Sequence, residues 1–204
     1  MIRYLYGHEL AALLDLEDSM FRDRKTQFFD RLKWDVSADA RGWERDEYDG
    51  IDPVYVVLED RNGLHQGSMR FLPTTGDTMV NDHFSHLADG VRIVSPFIWE
   101  CTRFCLAPDA PRQTSAKLML GGLELGLRFG LSHAVGVFDA RMVRIYQTLG
   151  WSPTILGTSH GISVGLWVFG SGIRRTLLNR AGLSSEISNH WMARSFGTRR
   201  QIAA

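Results

Sequence analysis

Six charged residues could do chemistry together: Arg24, Asp46, Asp49, Arg70, Glu100 and Arg103. Two of them, Glu100 and Arg103, stand in residues 97–106. This run of β-branched, aromatic and thiol residues between Pro96 and Pro108 predicts a buried strand. An unpaired charge buried there would be destabilising by several kcal/mol, so both residues need partners or a ligand. They either form a structural ion pair at a strand end or serve a charged ligand. The upstream charges favour the ligand. The six sum to three positive and three negative, a balanced set that can be buried where no member alone could be. In such a set Asp46 and Asp49 can hold cations, and Arg103 or Arg24 a carboxylate. Phe28 and Trp34 offer ring faces to a cation or a flat base. Residues three apart in a regular strand face opposite sides, so a single cluster requires a bulge between Glu100 and Arg103.

The elements that must position these residues follow from periodicity. Residues 8–24 carry apolar side chains at helical spacing and predict an amphipathic helix. The window 35–60 holds nine acids against two arginines and is broken by Gly42, Gly50 and Pro53. It predicts a long mobile segment that serves a ligand more than a core and orders when the ligand binds. Strands are expected at 54–59 and 64–72, joined through an Asn62-Gly63 turn, with a short helix or crossing element at 79–87. Thr114 and Ser115 are natural caps for a helix reaching Gly130, in which Gly122 and Gly126 imply close packing. A strand at 133–138, a helix from Asp139 to Gly150, a strand at 162–169 and two terminal helices complete the order. That order predicts a mixed α/β (α+β) fold of one domain, with a mostly antiparallel sheet and one strand-helix-strand crossover. Within it, residues 1–52 form the mobile ligand-binding part, 53–170 the sheet core and 171–204 the terminal helices.

Length and composition agree with one ordinary globular core. The chain has 204 residues, 44% hydrophobic and 23% charged, with zero formal net charge. Zero net charge speaks against a general nucleic-acid binder. Cys101 and Cys105 cannot bridge comfortably within one strand and read as reduced thiols of a cytoplasmic protein. The first residues lack the apolar core of a signal peptide, and no apolar run approaches the roughly 20 residues of a membrane span. Only His83 and His86 lie close together, and no ligand set surrounds them, so no metal site is expected.

The joint order of Arg24, Phe28, Trp34, residues 44–49 (ERDEYD), residues 67–70 (GSMR), Phe84 and residues 99–104 (WECTRF) resembles the acyl-homoserine-lactone synthases. These are the LuxI-type autoinducer synthases of bacterial quorum sensing. The resemblance covers about the first half of the chain, and Gly150-Trp151 also fits. It implies a fold like that of the GNAT acyltransferases, with the acyl donor between two splayed central strands. It also implies a reaction in which an acyl group passes from an acyl carrier protein, or from coenzyme A, to the amine of S-adenosylmethionine. Lactone closure then expels methylthioadenosine. S-adenosylmethionine is a substrate here, and no prosthetic group is implied.

On that resemblance Glu100 is the candidate base for the ammonium, directly or through one water. Phe28, Trp34, Asp46, Arg103 and Phe104 bind S-adenosylmethionine. Trp99, Met119, Leu123, Val137, Met142, Trp151 and Leu166 wall the acyl chain. The run 112–117 (RQTSAK) lacks the glycine-rich pyrophosphate turn usual in coenzyme A-binding enzymes of this fold, which favours a carrier-protein donor. Arg141, Arg144 and the arginine-rich C-terminus could form its landing face. Members that take 3-oxoacyl chains tend to carry a threonine in the strand matching 133–138. None stands there in this chain, which points to a donor unsubstituted at C3. Two rivals remain: a coenzyme A-dependent N-acyltransferase for another amine, and a non-catalytic S-adenosylmethionine sensor.

Overall fold

A seven-stranded sheet in the order β1-β2-β3-β4-β5-β7-β6 carries the site. The computed structural model describes residues 1–196, so Arg199 and Arg200 of the arginine-rich terminus lie outside the described residues. The strands are β1 (Ile2–Tyr6), β2 (Val54–Glu59), β3 (His65–Pro73), β4 (Ile98–Leu106), β5 (His133–Asp139), β6 (Thr154–Ser159) and β7 (Ile162–Val168). All neighbours run antiparallel except β4 and β5. That parallel pair is joined by the crossover helix α4 (Thr114–Phe129).

Alternation along β2 sends Val54, Val56 and Leu58 into a core with α4, and Tyr55 and Val57 into a second core on the opposite face. On that opposite face lie α1 (Gly7–Ala11) and α2 (Leu14–Arg24). The single helix expected over 8–24 is therefore two, broken at Leu13, and Leu14 is 74% exposed. A π-helical segment, Lys25–Arg31, continues α2 and buries Phe28. The short α3 (Met79–His83) covers the same side of the sheet's centre. α5 (Val143–Leu149) ends at Gly150, and α6 (Ser171–Ala181) and α7 (Ser185–Phe196) pack beside α4.

Segment 35–52 has more apolar support than its charges suggest. Trp43 is buried and stacks on Phe21 with ring centroids 5.2 Å apart, and Tyr48 is buried. The α4 cap also differs from expectation. Gln113 is the N-cap and gives no side-chain bond, while Thr114 is buried with its hydroxyl unpartnered.

The α4 glycines do let the helix settle onto its neighbours. A Cβ on Gly126 would stand 2.2 Å from ring carbons of Phe169. Gly126→Ala is expected to destabilise the protein by about 1–3 kcal/mol despite alanine's better helix propensity. Thermal unfolding would read this as a fall of several degrees, and an unchanged midpoint would show that Phe169 swings aside freely.

Candidate active site

Three guanidiniums and three carboxylates form a closed ring of alternating charge. Arg24 donates from Nε to Glu44 at 2.7 Å and from both terminal nitrogens to Asp49 at 2.9 and 3.0 Å. Glu44 meets Arg103 at 2.9 Å, and Arg103 meets Asp46 at 2.8 Å. Asp46 is gripped by both terminal nitrogens of Arg70, one at 2.8 Å, and Arg70 closes the ring on Asp49, also at 2.8 Å. Tyr55 adds a hydroxyl donor to Asp49 at 2.5 Å. Four elements contribute to it: α2, the segment 44–49, β3 and β4.

The electrostatics are those of mutual compensation. Burial alone would pull Arg24 down, but the carboxylates of Asp49 and Glu44 outweigh it and hold the guanidinium above its ordinary value. Burial alone would raise Asp49, yet Arg24 and Arg70 hold it well below the usual carboxylate range. Glu44, which stands in the motif run 44–49, takes the place in this set that the charge count had given to Glu100. Its signal was present in the acidic run, but nothing in the spacing distinguished it from Glu47, which is exposed.

Arg103 joins the ring because β4 is bulged. Opposite Ser68 to Arg70 on β3, strand β4 runs from Cys105 to Thr102 with one residue too many, and Arg103 takes a left-handed φ of 52°. The expected bulge thus exists, centred on Arg103 itself.

Glu100 stands apart from the ring. It is fully buried on the same face as Thr102, and its carboxylate accepts from the amides of Met79 at 2.9 Å and Val80 at 2.6 Å. Burial pushes its pKa up to about 7, although those amides and Arg70 pull the other way. This is the value wanted of a group that takes a proton near neutrality. Its neighbours Met79, Cys101 and Thr102 line the adjoining cleft but Glu100 itself does not, so a proton would reach it through one water or a small side-chain movement.

That cleft, of about 1230 Å³, crosses the sheet. β4 and β5 pair only at Ile98↔His133, Trp99↔Ala134 and Glu100↔Val135, and beyond Glu100 they part. On the face of α2 the opening is lined by Phe28, Trp34, Asp46 and Arg103; on the face of α4, by Met119, Tyr146 and others. Phe28 and Trp34 stack almost parallel, 4.9 Å apart and 9° between planes, with the Arg103 guanidinium 5.6 Å from the Phe28 centroid.

The family model described as autoinducer synthase matches residues 8–166. An acyl-homoserine-lactone synthase of Rhizobium etli is 44% identical over 195 residues, covering 90% of this chain and 91% of the relative. The chain belongs to the autoinducer synthase family. As a member it is an enzyme, an acyltransferase, and its fold is shared with solved relatives. The structure of BjaI, a CoA-dependent acyl-homoserine lactone synthase with SAM and isopentyl-CoA, aligns with a TM-score of 0.81 at 23% identity, over 91% of this chain and 90% of that one. The likeness of fold, GNAT-like, extends to an acyl-CoA N-acyltransferase from Pseudomonas aeruginosa, TM-score 0.54 at 13% identity, over 81% of this chain and 97% of that one.

Placed in this autoinducer synthase fold, the candidate residues divide. Asp46, Arg103, Phe28, Trp34 and Phe104 all line the cleft. Arg24, Arg70 and Asp49 do not: their side chains are at most 1% exposed, so they act as scaffold to the ring and Arg24 is no alternative to Arg103 for holding a carboxylate. Among the acyl-wall candidates Met119, Val137, Met142 and Trp151 line the cleft. Trp99, Leu123 and Leu166 do not. Trp99 packs tilted against Phe129, Leu123 is sealed in the core, and Leu166 alternates away from the cleft residue Trp167 onto the face of Val80 and Val164. The resemblance named apolar residues but could not tell which face of each element the cleft would use. Arg141 and Arg144 are exposed, and Arg141 is ion-paired to Asp139, which also caps the turn before α5. Among the described residues no helix is long and apolar enough to cross a membrane.

Proposed function

We propose that this chain acylates the α-amine of S-adenosylmethionine from a phosphopantetheine thioester and then closes the homoserine lactone. One observation carries the reading: a single cleft, ionic and aromatic on one face of the sheet and apolar on the other, joined where β4 and β5 part beside Glu100. A substrate bearing a sulfonium, an ammonium and a carboxylate suits the first face. Asp46 would hold a cationic group, Arg103 the carboxylate, and the Phe28–Trp34 stack the adenine or the sulfonium. An acyl chain suits the second.

The ammonium gives its proton to Glu100, through water, and the freed amine attacks the thioester carbonyl. An amide bond forms, the carbon–sulfur bond of the thioester breaks, and the sulfur takes the amine's second proton and leaves as the thiol. The substrate's carboxylate oxygen then attacks the γ-carbon and breaks its bond to the sulfonium, which departs as neutral methylthioadenosine. The relative crystallised with SAM and isopentyl-CoA supports both substrate classes. Neither rival accounts for the family match over 159 residues as well.

For the donor we favour a carrier protein. The start of α4 keeps its non-glycine sequence, and the Arg141–Arg144 face is exposed to an acidic partner. Reversing the charge that lies outside the cleft, Arg144→Glu, is expected to raise the apparent KM for acyl carrier protein several-fold and to spare acyl-CoA, whereas Arg141→Glu, at the cleft's edge, should affect both donors. Equal KM values before and after would remove this docking face.

The test of the function is mass spectrometry of products from the purified protein with S-adenosylmethionine and parallel panels of acyl-carrier-protein and acyl-CoA donors. Methylthioadenosine together with an acyl-homoserine lactone supports the reading. Acylated product without lactone points to the general N-acyltransferase, and bound nucleotide without product to the sensor.

A further inference from the structure

Helix α3 holds Glu100, and other groups must hold α3. The Glu100 carboxylate accepts from the amides of Met79 and Val80, the first two residues of that helix. It serves as the missing cap, because the N-cap Thr78 gives those amides no side-chain bond while its hydroxyl accepts from Asn81 at 3.0 Å. A helix of five residues does not hold itself in water, so its place is set by what grips it. Val80 packs with Leu87, Val135 and Val164, and the Asn81 side chain exchanges hydrogen bonds of 2.9 and 2.8 Å with the backbone of Ile93. The grip from the charged ring is a separate one. There the Tyr48 hydroxyl donates to the Asp82 carboxylate at 3.0 Å.

Tyr48 is itself fixed by the ring. Its amide donates to Asp46 at 3.0 Å, and its ring centroid lies 5.5 Å from the Arg70 guanidinium. The residue is buried, although it lines the cleft. Burial and the Asp82 carboxylate hold its phenol above the ordinary tyrosine value, so the hydroxyl stays a donor at any working pH. Other ties between these segments are weaker. Glu47 and His83 meet at 3.4 Å with both side chains more than half exposed, and Arg92 stands 3.8 Å from Asp82. A chain of contacts thus runs from Asp46 and Arg70 through Tyr48, Asp82 and α3 to Glu100.

We propose that Tyr48 and Asp82 are positioning residues, whose hydrogen bond seats α3 so that the Met79 and Val80 amides keep their grip on the Glu100 carboxylate. This rests on the acyl-transfer reading, in which Glu100 is the base, and deepens it. The groups that bear on Glu100 are the two α3 amides, Arg70 from β3, Asp46 and the Tyr48 phenol from the segment 44–50, and the Cys101 thiol beside it on β4. From β5 it meets Val135, which carries no charge. Amide hydrogen bonds favour the ionised carboxyl and weaken steeply as they lengthen. With Val80 and Asn81 still anchored, α3 can tilt without uncovering Glu100. Loss of the Tyr48 bond therefore makes Glu100 hold its proton more tightly.

The experiment follows the initial rate of methylthioadenosine release against pH for the unaltered protein, Tyr48→Phe, Asp82→Ala, Asp82→Asn and Arg92→Ala, with the melting temperature of each. In Tyr48→Phe and in Asp82→Ala the acid limb of kcat/KM should move up by about 0.5 to 1 pH unit. At pH 7 that is a loss of about two- to fivefold, which closes by about pH 9. The KM for S-adenosylmethionine should stay within about twofold, because Asp46 and the Tyr48 ring remain. Tyr48→Phe combined with Asp82→Ala should move the limb no further than either alone. Asp82→Asn keeps an acceptor and should recover most of the shift, and Arg92→Ala should cause none. The proposal is overturned by a limb that stays in place or moves to lower pH, by an equal loss at every pH, or by a rise in KM from Tyr48→Phe that Asp82→Ala does not share, which would put the hydroxyl on the substrate. A parent that turns over while these variants keep its profile removes only the Tyr48–Asp82 clamp; a parent that makes no lactone from any donor removes the acyl-transfer reading with it.

Discussion

Glu100→Gln is expected to lower turnover by roughly 10²- to 10⁴-fold, the usual weight of a positioned general base, while S-adenosylmethionine binds within a few-fold of its parent affinity. Glutamine keeps the shape and one acceptor oxygen for the Met79 and Val80 amides but cannot take the proton. The parent's kcat/KM should fall with acid on a limb centred near the Glu100 value of about 7, and the variant should lose that limb. Stability supplies an independent sign. A carboxyl whose folded pKa is raised from 4.5 to about 7 binds its proton more tightly in the native state, so native stability falls as pH rises between those values. At pH 8 the variant is spared that ionisation cost but loses one acceptor for the Met79 and Val80 amides, so its melting temperature should stay close to the parent's. Turnover and binding lost together, with a lower melting temperature at pH 8, would make Glu100 a structural residue.

Asp49→Ala is expected to destabilise the protein by about 3–5 kcal/mol, a fall in melting temperature on the order of 10 °C. The loss comes from what remains behind: Arg24 and Arg70, both buried, would face one another across an empty site, and the Tyr55 hydroxyl would lose its acceptor. The native ring holds Asp49 below its ordinary pKa, so its contribution is complete above about pH 4 and disappears as the pH falls further. The difference between parent and variant should accordingly be full at pH 7 and shrink in acid. A loss under about 1 kcal/mol at pH 7 would mean that water enters to solvate the two arginines and that the ring is not closed in solution.

How far the sequence led depended on the kind of signal. The hairpin of β2 and β3, the crossover β4-α4-β5 and the Asp139 cap were legible because each has a local cause: an Asn-Gly turn, helical period, a side-chain acceptor at a helix start. β1 and β6 went unpredicted. Both lie at the sheet's edges; β6 is mostly exposed and lacks the alternating burial that marks a strand, while β1 is five residues long and buries Ile2, Tyr4 and Leu5 in a run too short to stand out. In the site, the need for balanced charge was legible, and so was the bulge that lets Arg103 join. The membership of Glu44 rather than Glu100 was not, because it depends on α2 and the segment 44–49 meeting on one face of the sheet.

That parting also sets the traffic of the reaction. A slot cut through a sheet has two mouths, and the two reactants as assigned here occupy opposite ones. Neither must wait behind the other to enter, nor must the thiol and the nucleoside leave by one door. Such a layout disposes the enzyme to a ternary complex with substrates added in either order, and it makes product inhibition by one half of the slot blind to the other.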